Sequence, residues 1–213
     1  MLNVIGLYGD TCSGKSTLGQ GLTECLEGCH YLSYGDLKRG LFESGNQVAL
    51  EIADYVGKGR PIPVQLSAQI LCGHLKSGLN ILSGFPISED EISALSSLNA
   101  RLIGAVQIDI SFDVQFQRFF DRAECPICRL SGKKSDYCIH HNVPMVIRSD
   151  SSPAELQVRN DLYNQRIVRF LRSAEMLGLP RIVCDGDRNA TTLLSETSEW
   201  LKTTFTDILM KGE

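Results

Sequence analysis

Apolar residues run along this chain in two rhythms. Short solid runs alternate with longer stretches in which an apolar residue returns every three or four positions. The solid runs LNVIGLY (2–8), LNILSGFP (79–86) and AVQIDIS (105–111) predict strands buried on both faces, the second running into a turn. STLGQGLTECLEG predicts an amphipathic helix stopped at Gly28. YLSYGDLKRGLFESG (31–45) predicts a short strand, a turn at Gly35 and Asp36, and a helix that Asp36 would cap. QVALEIADYVGKG (47–59) is helical by the spacing of Val48, Ile52, Ala53 and Val56, and the loop GKGRPIP ends it. Helices are also predicted for 64–78, for ISEDEISALSSLNA, and for FDVQFQRFFDRAE, which runs into a cysteine-bearing loop at 125–141. A long helix over 151–178 has Pro153 near its start. PRIVCDGD then gives a last strand and loop, and TTLLSETSEWLKTTFTDIL a closing helix. Strands alternating with helices predict an α/β fold, a parallel sheet with helices on both faces.

The first strand opens onto Gly9-Asp10-Thr11-Cys12-Ser13-Gly14-Lys15-Ser16, a full G-x4-G-K-[ST] loop, with Thr17 in the helix behind it. The glycines let backbone N–H groups turn inward around phosphate oxygens, and the dipole of the following helix adds to the attraction. Lys15 would reach the β- and γ-phosphates of a nucleotide, and the Ser16 hydroxyl would ligate Mg²⁺. Cys12 sits inside the loop, where a helix start lowers a thiol's pKa. A guanine-reading N-K-x-D is missing; KKSD at 133–136 is the nearest string. Asp54-Tyr55-Val56-Gly57 fits D-x-x-G but follows no strand, so a GTPase switch is disfavoured.

Composition narrows the partners. The 213 residues suit one core with insertions, and a net charge of −4 offers no general field for nucleic acid or anionic membrane. No apolar run approaches the ~18–20 residues of a membrane span, and MLNVIGLYGD shows no basic leader, so no signal peptide is expected. Eight cysteines beside a phosphate loop and a C-x2-C pair suit a reducing cytoplasm with most of them as thiols.

The segments after the loop resemble the adenylate kinase family of nucleoside monophosphate kinases. YGDLKRGLFESG followed by VGKGRPIP resembles the family's acceptor-binding insertion, T-G-D-L-x-R and then a K-G-x-x-[VI]-P turn. LSGFPIS resembles the strand ending D-G-F-P-R, RFFDRAECPIC the helix carrying R-x-x-x-R into a mobile lid, and IRSDSSPAELQVRNDL the lid exit. CDGDRN resembles the D-G-x-[KR] loop over the donor adenine. The resemblance implies a P-loop NTPase fold over 1–213, an acceptor-binding helical insertion at 33–62 and a lid at 122–160. It implies ATP with Mg²⁺ as donor, a small phosphorylated acceptor of the nucleoside monophosphate kind, standard or not, and a monomer that binds neither nucleic acid nor membrane.

By similarity, Lys15, Arg122, Arg148 and Arg159 would be catalytic, the last two arriving with the lid. Arg118 and Arg188 would lie against the donor, beside the loop residues Gly9, Cys12, Ser13, Gly14, Ser16 and Thr17. Tyr34, Gly35, Arg39, Gly84, Phe85 and Glu91 would form the acceptor site, with Arg39 on its phosphate. Alignment, exclusion of water and positive charge are what such a transfer requires.

Cys125-Pro-Ile-Cys128 and, nine residues on, Cys138-Ile-His140-His141 form C-x2-C-x9-C-x2-H, a four-ligand set for a tetrahedral structural zinc. His141 mirrors the C-x2-C half, and His140 is the alternative. Some family members carry such a lid, with a longer spacer.

Four positions depart from the family. Ser83 stands for an Asp that orients Mg²⁺-bound water, and Ile87 for an Arg that grips the acceptor phosphate. Glu91 stands for a Gln that reads adenine, and Tyr34 for a small Thr. A Glu only accepts hydrogen bonds, so adenine's edge fits it poorly, and a guanine-like edge or an amine suits it better. Asp10 and Asp109 are the nearest replacement carboxylates; Asp109 reads equally as a helix cap. Two other readings remain: a P-loop kinase of a metabolite hydroxyl, and a weakly catalytic ATP-binding sensor.

Overall fold

The structure is a computed structural model and describes residues 1–45, 47–57, 62–128, 130–147, 152–176 and 178–209. In chain order the elements begin β1 (Leu2–Gly9), α1 (Lys15–Cys25), β2 (Cys29–Ser33), α2 (Tyr34–Ser44), α3 (Gln47–Gly57) and α4 (Val64–Leu71). They continue with β3 (Leu79–Ser83), α5 (Glu89–Ser97), β4 (Ala100–Asp109), α6 (Phe112–Asp121) and three short strands, β5 (Arg122–Glu124), β6 (Ser131–Lys133) and β7 (Val146–Ile147). The chain closes with α7 (Pro153–Met176), β8 (Arg181–Asp185), α8 (Ala190–Thr204) and α9 (Thr206–Leu209).

Five strands form one parallel sheet in the order β2-β3-β1-β4-β8. The solid apolar runs have a direct cause. Val4 and Tyr8 of β1 enter a core with Leu82, Phe85 and Leu71 on one face, while Ile5 and Leu7 enter another with Leu18, Leu22 and Leu193. Both faces are covered, so neighbouring positions of the strand are apolar whichever side they face. In β4 an extra residue breaks the rhythm: Val4 pairs with Leu102 but Ile5 with Gly104. The bulge at Ile103 switches the strand's sides, so that Leu102 faces the first core and Val106 and Ile108 the second.

Several expected boundaries move. Ser33, not Asp36, caps α2, accepting the Asp36 N–H at 3.2 Å; Asp36 lies in the first turn instead. Ser111 rather than Asp109 caps α6. The helix expected over 64–78 ends at Leu71, β4 starts at Ala100 rather than Ala105, and the closing helix breaks at Phe205. The loop expected at 125–141 contains a strand, and β6-β5-β7 form an antiparallel sheet around Ala123, Cys125, Cys138 and Met145. No helix among the described residues is long and apolar enough to cross a membrane.

The registers line the strand ends along one edge. Leu7 pairs with Ser83, Ser83 with Ser33, Gly9 with Ile108, and Asp109 with Asp185. The chain leaves β1 toward β2 on one side and β4 toward β8 on the other. That reversal opens a crevice beyond the carboxyl ends, where ligands of such sheets bind.

Candidate active site

The loop of residues 9–14 fills the middle of this edge. A Cβ on Gly9 would stand 2.5 Å from Ser13 Oγ and 2.7 Å from the Ile108 carbonyl oxygen, so only glycine lets the chain turn here. Gly14 has φ +99 and open space where a side chain would be, and α1 starts after it without a side-chain cap. Its first N–H groups are therefore free for an anion. Ser13 is buried, Thr17 is exposed, and the Ser16 hydroxyl oxygen accepts the Tyr31 hydroxyl at 3.4 Å.

Lys15 Nζ folds back over the loop, donating to the carbonyls of Gly9 at 2.7 Å and Asp10 at 2.6 Å. Burial pushes its ammonium down to about 8, against the pull of the Asp10 carboxylate. Asp10 moves the other way: burial lifts its carboxyl to about 6, Lys15 offsets part of the rise and Asp109 adds to it. Its Oδ1 is buried with no hydrogen-bond partner, as is the Tyr163 hydroxyl on α7.

The expected arginines divide. Arg118 Nη1 reaches the Cys12 carbonyl at 3.5 Å, and Arg122 is near enough to Lys15 to help depress its pKa. Arg159 is on α7, and Arg148 lies outside the described residues. Arg188 follows β8, and its guanidinium pairs with Glu196 of α8 at 2.7 Å on exposed surface.

Sequence reasoning missed a polar latch here. Gln115 of α6, only 2% exposed, exchanges two amide hydrogen bonds with Asn160 of α7, at 2.9 and 2.8 Å. Its Nε2 also donates to the Thr11 carbonyl at 3.0 Å. One side chain thus ties the phosphate loop to the two helices that flank β5–β7. A glutamine inside the aromatic run FDVQFQRFF was the available signal.

On the β3 side, Tyr34 and Phe85 are buried and their rings pack at 4.7 Å between centroids. The Tyr34 hydroxyl donates to Ser67 Oγ at 3.0 Å, which fixes the ring; burial raises its pKa to about 12. Gly84, at φ +77, turns the chain away from β3 and donates its N–H to the Leu7 carbonyl. Ser83 is buried at the strand end, and Ile87 packs against the Tyr34–Phe85 core. Arg39 pairs with Asp36 on its own helix, beside Gly35. Glu91 lies in the first turn of α5, donates its N–H to the cap Ser88 Oγ, and accepts the Ile87 N–H through Oε2 at 2.6 Å. Burial raises the pKa of Glu91, opposed by that bond and by the charges of Lys38 and Arg166.

Cys125, Cys128, Cys138 and His141 converge, their donor atoms all within 4.8 Å of one another. Cys128 Sγ and Cys138 Sγ are 3.6 Å apart, and His141 Nδ1 is 3.6 Å from Cys138 Sγ and 3.8 Å from Cys125 Sγ. Ligands ~2.3 Å from a tetrahedral zinc are separated by about 3.8 Å, so the set has the size of a zinc shell. The N–H groups of Ile127 and Cys128 point at Cys125 Sγ. Against desolvation, which raises it, those bonds bring the Cys125 thiol down to about 6, toward the thiolate a metal needs. His141 rather than His140 completes the four.

Known proteins resemble this chain over most of its length. An adenylate kinase of Chlamydia caviae is 30% identical over 184 residues, 81% of this chain and 85% of the relative. One of Mesoplasma florum is 28% identical over 75% of this chain and 81% of the relative, and one of Thermococcus onnurineus 26% identical over 84% of each. No protein-family model matches.

Proposed function

This chain belongs to the adenylate kinase family, and from that premise we propose that it moves the γ-phosphoryl group of ATP onto a nucleoside monophosphate other than AMP. It is a phosphotransferase of the adenylate kinase type on a P-loop NTPase fold. The observation that carries the reading is the loop of residues 9–16, open at Gly14, with Lys15 folded onto its own carbonyls.

Triphosphate oxygens entering the loop would take over the Lys15 donors and the first N–H groups of α1. Arg118 and Arg122 would neutralise the donor phosphates, with Arg148 and Arg159 joining from the lid at 122–160. An acceptor phosphate oxygen then attacks the γ-phosphorus as the bond to the β–γ bridging oxygen breaks, and ADP leaves. The loop fits magnesium as well: Ser16 offers its hydroxyl and Asp10 a buried carboxylate oxygen without a partner. Magnesium held there would supply positive charge to the donor phosphates.

The acceptor side, on the insertion at 33–62 and the start of α5, departs from an adenine reader. Glu91 accepts where Gln both donates and accepts, Ile87 supplies no charge, and the Tyr34 ring occupies space beside Phe85. In the lid, Cys125, Cys128, Cys138 and His141 would hold a structural zinc that keeps a small polar unit in shape. Zinc analysis of the purified chain should find one ion per chain, and its loss in Cys138→Ser.

Coupled detection of ADP tests the main reading. ATP with magnesium and a suitable monophosphate should give ADP at a rate that depends on the monophosphate. ADP formation that ignores every monophosphate, or responds only to an unphosphorylated hydroxyl, would overturn it.

A further inference from the structure

A charge that no motif announced stands at the acceptor wall. Lys38 occupies the open position of T-G-D-L-x-R, one turn along α2 from Tyr34. Its Nζ lies 4.9 Å from the centroid of the Tyr34 ring, which Phe85 backs and the hydrogen bond to Ser67 holds in place. The ammonium is therefore held against a fixed wall. Burial lowers the pKa of Lys38 and the Glu91 carboxylate opposes that shift, while burial raises that of Glu91 and Lys38 opposes it. Glu91 is anchored to the same wall, because it holds the N–H of Ile87, whose side chain packs against the cluster that contains Tyr34 and Phe85. A carboxylate has about four acceptor sites, so the bond from the Ile87 N–H leaves Glu91 with capacity for a ligand.

A carboxylate beside an ammonium is a template with a definite complement. It matches a ring edge on which two adjacent N–H donors stand next to a carbonyl oxygen. Among nucleobases that is the edge of a 6-oxo-2-aminopurine. Its N1–H and 2-amino group would donate to Glu91, and Lys38 would donate to its 6-oxygen. Adenine and cytosine place an unprotonated ring nitrogen beside their amine, so a lone pair would face the carboxylate. Uracil flanks its single N–H with two carbonyls, one of which would do the same. Hypoxanthine keeps the N1–H and the 6-oxygen but lacks the second donor.

Resting on the proposed transfer to a monophosphate, we propose that Glu91 and Lys38 read the base, and that the acceptor is a guanosine-type monophosphate. Lys38 also supplies, on the base side, a positive charge in a pocket where Ile87 supplies none.

Rates of ADP formation with GMP, IMP, AMP, CMP and UMP test this. GMP should give the highest kcat/KM, IMP roughly tenfold less, and the other three roughly 100-fold less or lower, because a site built for hydrogen bonds rejects ligands that leave its groups unpaired. Glu91→Gln should cut the GMP value and shrink the GMP-to-AMP ratio at least tenfold. Lys38→Met should lower GMP turnover about tenfold while a fluorescent ATP analogue still binds, which shows that the variant is folded. CMP or UMP as best acceptor, IMP equal to GMP, or an unchanged ratio in Glu91→Gln would overturn the base assignment alone, whereas AMP as best acceptor would overturn with it the exclusion of AMP on which it rests. No ADP with any of the five would instead overturn the transfer reading on which it rests.

Discussion

The two ends of the phosphate's path are built on different terms. At the donor end one short stretch of chain supplies nearly everything: the turn at Gly9, the open backbone at Gly14, the lysine and the hydroxyl. Its chemistry is mostly backbone, so it survives in a sequence only 30% identical to a relative. At the acceptor end α2, α4, β3 and α5 each lend a side chain or two, and the recognition lies in those side chains. Glu91, Ile87, Tyr34 and Lys38 lie on α2, on α5 and in the turn before α5, off the strands of the sheet, so each can change without altering the strand pairing. A site made of backbone resists drift, and one made of side chains can be retuned.

A lesion at the donor end should then be indifferent to the acceptor. Lys15→Met removes a charge aimed at the transferring group, and kcat should fall about 10²–10³-fold by the same factor for every monophosphate. A fall that varied with the base would break the division between the two ends. The converse change is Ile87→Arg, which returns a charge-assisted contact for an acceptor phosphate, worth about 1.5–3 kcal/mol. It should raise kcat/KM for monophosphates roughly 10- to 100-fold and leave the KM for ATP unchanged.

Much of the donor end was legible because it is local. The loop, its strand and its helix are contiguous, and C-x2-C-x9-C-x2-H likewise named four groups that the fold brings together. What escaped was held by distance. Gln115 and Asn160 are 45 residues apart, and neither declares a partner until α6 and α7 pack. The bulge at Ile103 hid the first half of β4 because it changes which alternate residues face each core. Ser33 outcompeted Asp36 as a cap because the helix starts one residue after the strand, which a reading of turns did not anticipate. Lys38 belongs to no motif, and its place over the Tyr34 ring is visible only in the fold.

Protonation separates the ends again, by a smaller amount. Lys15 must carry its proton to meet phosphates, and in the free protein burial has lowered its pKa to about 8. kcat/KM for ATP should therefore be level between about pH 6, below which Asp10 takes up a proton, and about pH 8, and fall toward tenfold per pH unit above that, since that quantity reports the free enzyme. The profile of kcat should bend at higher pH, because bound phosphates restore the lysine's charge. The smallest change expected comes from the latch. Gln115→Leu leaves the Asn160 amide and the Thr11 carbonyl without their partner, which costs about 1–3 kcal/mol of stability. Thermal melts should show that loss, with a few-fold rise in the KM for ATP and the order of acceptors unchanged.

The central claim is that the loop at residues 9–16 hands a phosphoryl group to a nucleotide rather than to water. It is tested most directly by incubating the protein with ATP labelled in its γ-phosphate, magnesium and a mixture of monophosphates, and then separating the products. The account predicts the label in a nucleoside diphosphate, gone in Lys15→Met. Label found only in inorganic phosphate, at a rate the monophosphates do not alter, would contradict it.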